Sequence, residues 1–142
     1  MNAKRILCLV IVTLAPHVTT SAEDIGKCTR DAAIAAETQP APTTWRDLYK
    51  SFGRYVQCDD GSVAEAFSNS VALLMAEHWD TIGDLNKLAK AHPTFASFVL
   101  RHTDVTMSLD QARAIKGNAQ ERCPVDSRHL CDRILHRMSE FK

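Results

Sequence analysis

The sequence predicts an all-α fold, a single disulfide-stapled bundle of six or seven helices, and three observations carry that prediction. Apolar residues recur at spacings of three and four in segment after segment, as one buried helix face requires. Helix start and stop signals punctuate those segments, with Thr44, Ser62 and Ser108 ahead of them and Pro93 and Pro124 between them. No stretch shows the period-two alternation of a half-buried strand.

The first 22 residues read as a secretory signal peptide, with residues 23–142 forming the helical domain. Lys4 and Arg5 supply a charged start, Ile6 to Ala15 an apolar run, and Thr20-Ser21-Ala22 a small-residue cleavage site. The run is about half of the roughly 20 residues that a spanning helix needs. Cys8 lies in its middle rather than at its end, which argues against a lipid anchor.

In the mature chain a first helix is expected from Asp24 to about Glu37, with Ile25, Cys28, Ala32 and Ala35 in helical period. Pro40 and Pro42 break it. Thr44 then caps a helix carrying Asp47 in its first turn and a stripe of Trp45, Leu48, Tyr49, Phe52, Tyr55 and Val56. That stripe holds four of the nine aromatics; it reads as core, although such spacing could also line a ligand box.

Asp59, Asp60 and Gly61 form an expected turn, and Ser62 with Glu65 fits a capping box opening the central helix. Val63, Phe67, Val71, Leu74 and His78 share its inner face. The polar strip Glu65, Ser68, Asn69 and Glu77 projects from the other side and is the candidate binding surface.

Beyond Trp79, Asp80 or Thr81 can cap a short helix bearing Ile82, Leu85, Leu88 and Ala89, with Asp84, Asn86, Lys87 and Lys90 facing solvent. Pro93 ends that segment and opens the next, whose buried face is Phe95, Phe98, Val99 and His102. The chain bends near Thr103 to Met107. Ser108 and Gln111 make a second capping box before Leu109, Ala112, Ile115 and Ala119. Asp126 is placed to cap the last helix, with Leu130, Ile134, Leu135, Met138 and Phe141 on its apolar face.

Four cysteines follow the leader: Cys28, Cys58, Cys123 and Cys131. In an oxidising compartment an even count reads as a disulfide framework with three connectivities. The short loop begun by Pro124 favours Cys123–Cys131, leaving Cys28–Cys58. No C-x-x-C pair suggests zinc. Acidic and basic residues balance at seventeen each, so loss of Lys4 and Arg5 leaves the mature chain two charges negative. That charge offers neither nucleic acid nor an anionic membrane a basic patch.

Chemistry is harder to find. H-E-x-x-H, G-x-S-x-G, Walker and C-x-x-C-H patterns are all missing from the sequence. Asp59 and Asp60 are paired carboxylates and His78 is a neighbouring base, the residues an unrecognised enzyme would use. Yet a turn and a helix cap account for both aspartates. His129 and His136 lie two turns apart, too far for one metal ion without a third element, and His92 precedes Pro93 as an expected helix cap. The reading is therefore non-enzymatic, with no cofactor and no metal, and a small-ligand or envelope-stress binding module as the alternative.

The leader, the helical domain, the cysteine staples, the lack of a catalytic motif and C-D-D-G at Cys58 to Gly61 together give a form that resembles a known family. It is similar to the small periplasmic immunity proteins that neutralise peptidoglycan amidase effectors of bacterial type VI secretion systems. The resemblance implies a protein-binding inhibitor that occludes its effector's active-site groove, often as a homodimer, and so protects the producing cell's wall. The partner is then a secreted effector or other envelope protein, with no nucleic acid and no stable membrane insertion.

Overall fold

The computed structural model describes residues 26–104 and 106–140, so the expected signal peptide at 1–22, Asp24, Ile25 and Phe141 lie outside the described residues. Seven α-helices are found there: α1 (Arg30–Thr38), α2 (Trp45–Tyr55), α3 (Gly61–Glu77), α4 (Ile82–Ala91), α5 (Pro93–Arg101), α6 (Leu109–Glu121) and α7 (Arg128–Ser139). Single 3-10 turns at Val56–Cys58, Trp79–Thr81 and Val125–Ser127 bend the chain between them. The described residues contain no strand, and none of their helices is long and apolar enough to cross a membrane.

The helix α3 is the axis of the assembly. It packs on α1, α2 and α6, while α6 carries α7 and α4 pairs with α5 and α2. Val63, Phe67, Val71 and Leu74 point inward as their spacing predicts, each almost wholly buried. They meet Leu48 of α2, Phe95, Phe98 and Val99 of α5, Ile115 of α6 and Ile134 of α7 in one core. The aromatic stripe of α2 joins that core. Phe52 lies 4.8 Å from Phe98, Tyr49 meets Phe95 edge-on at 5.1 Å, and Phe67 meets Phe98 edge-on at 4.9 Å.

Polar ties close the helix ends. The Trp79 indole donates to Arg122 O at 3.0 Å. The Asn118 amide donates to Met75 O and Ala76 O, two carbonyls that the end of α3 leaves without helical partners. Trp45 is buried on α2, and its indole nitrogen has no hydrogen-bond partner among the described residues.

Both disulfides follow the favoured pairing, Cys28–Cys58 and Cys123–Cys131. The first fastens the segment ahead of α1 to the turn ahead of α3. The second spans the corner between α6 and α7. Two disulfides in so short a chain are the mark of an oxidising compartment.

Several local expectations are corrected. The first helix begins at Arg30 rather than Asp24, because Gly26 takes a φ of 114° and Thr29 caps the Ala32 amide; Cys28 is outside the helix. Asp60, not Ser62, caps α3. Gly61 adopts a φ of 51° as the first helical residue, so helix is under way before Ser62, whose hydroxyl donates instead to Glu37 of α1. His78 is exposed at the end of α3, since the helix stops at Glu77.

Neither Asp80 nor Thr81 caps α4, the Thr81 hydroxyl having turned back to His78 O. Asp126 does not cap α7; its carbonyl accepts from Asn86 at 2.7 Å, and Asn86 is buried rather than solvent-facing. His92 makes no side-chain cap, because its ring stacks on Tyr49 at 4.5 Å.

Candidate functional site

The polar strip of α3 divides. Glu65, Asn69 and Glu77 are exposed, but Ser68 is only 4% exposed and belongs to the interior. A residue at the margin of a helix face is assigned by what packs beside it, and here α5 and the α5–α6 connection cover Ser68. Glu65 and Asn69 lie one turn apart, whereas Glu77 stands roughly 12 Å beyond Asn69 along the axis.

Asn69 opens onto a cleft of about 450 Å³ between α3 and the wall made by α1 and the Pro40–Pro42 linker. Ala36, Pro42, Val63, Phe67 and Leu73 form its apolar lining; Glu37, Gln39 and Gln111 stand with Asn69 at its polar edge. Local chemistry holds the walls apart. The prolines stiffen the linker, Gln39 Nε2 donates to Ser51 Oγ of α2, and Cys28–Cys58 ties the base of α1 to the turn before α3. The Asn69 amide makes no hydrogen bond within the described residues, so its donors and acceptor remain open to a ligand or partner.

A wider groove of about 800 Å³ runs between α2 and α4 past Trp45, Tyr49 and His78. Its lysines are paired along their own helices, Lys50 with Asp47 and Lys87 with Asp84, each at 3.1 Å. The hydrogen bond from Thr44, followed by that of Lys50, holds the Asp47 carboxyl below its ordinary range.

The two aspartates of the turn separate. Asp60 accepts from Gly61 N, while the Asp59 carboxylate turns to His102 Nε2, 3.0 Å from Oδ1 and 3.2 Å from Oδ2 with the hydrogen-bond geometry favouring Oδ2. His78 stands at the opposite end of α3, roughly 25 Å from Asp60 by helical rise. The three residues an enzyme reading would pair are therefore not brought together.

Sequence reasoning missed what Asp59 does join. His102 Nδ1 lies 2.9 Å from Ser68 Oγ, and Ser68 Oγ lies 2.9 Å from Asp104 Oδ2. Burial pushes the Asp104 carboxyl up, but hydrogen bonds from Thr106 and Ser68 and the field of His102 outweigh it and leave the carboxyl lowered. Serine, histidine and aspartate in line have the order of a nucleophile, base and orienting acid. Here the ring is 6% exposed and lies 4.4 Å from Phe98 and 5.8 Å from Phe67, so the array is enclosed by the core rather than offered to a substrate. Spacing within one segment could not reveal it, because the bonded partners stand 34 to 43 residues apart.

Among the described residues, no three His, Cys, Asp or Glu side chains converge on a point that could hold a metal ion. Fold and site thus define a disulfide-stapled all-α protein with an open cleft along its central helix. No protein-family model, no curated protein and no solved structure matches the chain.

Proposed function

We propose that the protein is a periplasmic protein-binding inhibitor whose α1–α3 cleft and rim receive a peptidoglycan-hydrolysing effector and occlude its active-site groove. The observation that carries this reading is Asn69, an amide without a partner among the described residues, at the mouth of an apolar cleft. A group of that kind gains most from a partner that completes its hydrogen bonds while covering Leu73 and Ala66 beside it. The Cys28–Cys58 staple and the Gln39–Ser51 contact support the reading further, because walls fixed in advance lower the ordering cost of association. Glu65, one turn before Asn69, adds a negative charge to the same side.

The cleft's volume also falls among those of small-molecule sites, which favours a ligand-binding module as the second reading. One experiment separates them. The tagged chain is recovered from the envelope of its native host, and the captured proteins are assayed for hydrolysis of peptidoglycan. The inhibitor reading expects a wall hydrolase whose activity the chain suppresses, and expects Asn69→Arg to weaken that suppression by about tenfold or more. A hydrolase that stays active in the complex, or none recovered under conditions that preserve nanomolar complexes, overturns it. Retention of a small molecule by the wild type but not by Leu73→Arg would favour the second.

A further inference from the structure

We propose that His102 is a proton-operated latch that, when charged, ties the α5–α6 connection to α3 and to the turn before it. The argument is a count of hydrogens. Ser68 has one, and its oxygen faces two neighbours, His102 Nδ1 and Asp104 Oδ2, both at 2.9 Å. An ionised Asp104 can only accept, so the serine hydrogen belongs to it, and His102 Nδ1 must then donate to Ser68. His102 Nε2 faces the Asp59 carboxylate, which also can only accept. Both ring nitrogens therefore carry hydrogen, and the ring in this array is an imidazolium.

Loss of the ring proton cannot leave all three contacts intact. With the remaining hydrogen on Nε2 facing Asp59, Nδ1 becomes an acceptor and draws the Ser68 hydrogen away from Asp104. Asp104 Oδ2 then faces only oxygen lone pairs, inside a partly buried site where such a mismatch is costly. The other Asp104 oxygen holds the Thr106 amide at 2.9 Å and the Thr106 hydroxyl at 2.7 Å, so the carboxylate is the pin on which the connection folds.

The charged groups facing the ring come from three places. Asp59 lies in the turn before α3, Asp104 in the α5–α6 connection, and Arg101 is at the end of α5 with its guanidinium 3.4 Å from Asp59. Arg101 also pairs with Asp59, and the latch opens on the Asp104 side because the remaining ring hydrogen stays on Nε2, facing Asp59. Histidine is the side chain whose titration falls within ordinary environmental pH.

The test is amide hydrogen exchange and imidazole nitrogen NMR on the full chain between roughly pH 5 and pH 8. The Thr106 amide is expected to exchange about tenfold faster or more, after correction for intrinsic base catalysis, once the ring loses its proton. Ser68→Ala is expected to remove that step while other α3 amides keep their protection. An acceleration that persists in Ser68→Ala, or Thr106 protection that stays flat while the ring titrates, overturns the proposal. The wild-type ring is a readout that needs no variant. A His102 that stays neutral with one bare nitrogen across the whole range overturns the latch, and both nitrogens protonated at its acidic end support it.

Discussion

Phe98 shows how much one side chain can carry. It is fully buried, with Phe52, Phe67 and His102 around it. Truncation to alanine would leave a cavity that these three rings cannot close together, at a cost of about 3–5 kcal/mol by urea unfolding. Asp104 gives a prediction in pH. Its folded carboxyl is lowered from 3.8, so it contributes stability above that value and loses it as pH falls through the folded one. Stability of the wild type should therefore decline more steeply on acidification than that of Asp104→Asn, measured as the urea midpoint from about pH 5 to about pH 2. The burial of Phe98 and His102 was legible from their spacing, but the partners of His102 were not. Periodicity says which way a side chain points and is silent on which distant segment it meets.

At the level of elements, the two capping boxes expected from sequence had different outcomes. Ser108 and Gln111 form theirs completely, the serine hydroxyl accepting from Gln111 N and the glutamine side chain accepting from Ser108 N. Ser108→Ala should cost about 1 kcal/mol, read by thermal or urea unfolding. Ser62 and Glu65 do not form one, although the residue pattern is the same. The preceding Asp60-Gly61 starts the helix earlier, with glycine accepting a left-handed φ that most residues resist. A local motif is therefore only as good as the turn chemistry before it. The candidate site has the same limit. Glu65, Asn69 and Glu77 are exposed, while Ser68, next in line to Asn69, is taken up by a connection 36 residues away.

For the molecule as a whole, the disulfides offer the clearest prediction. Cys28–Cys58 closes a separation of 30 residues and Cys123–Cys131 one of 8. On the chain-entropy account, removing the longer bridge by Cys28→Ala with Cys58→Ala should cost about 1 kcal/mol more than removing the shorter in the same way. Denaturant unfolding of the two double variants checks it. The bundle and its pairing were accessible from sequence because helical period and cysteine spacing are properties of the chain itself. The cleft was not, since it arises where α1 and the proline linker stand off from α3, a distance set by packing among several segments.

The two buried indoles make the protein its own optical instrument. Trp45 belongs to the α2 side, its nitrogen without a partner among the described residues, whereas Trp79 ties the end of α3 to Arg122. Both leave a dry environment when the fold opens, so each should shift its emission to longer wavelength. Trp45→Phe and Trp79→Phe would give reporters on different parts of the bundle, with Phe keeping most of the packing. Coincident urea midpoints, seen by fluorescence and circular dichroism in each variant, would establish all-or-none unfolding. Separated midpoints would show the α6–α7 corner and the α2 face opening as distinct cooperative units.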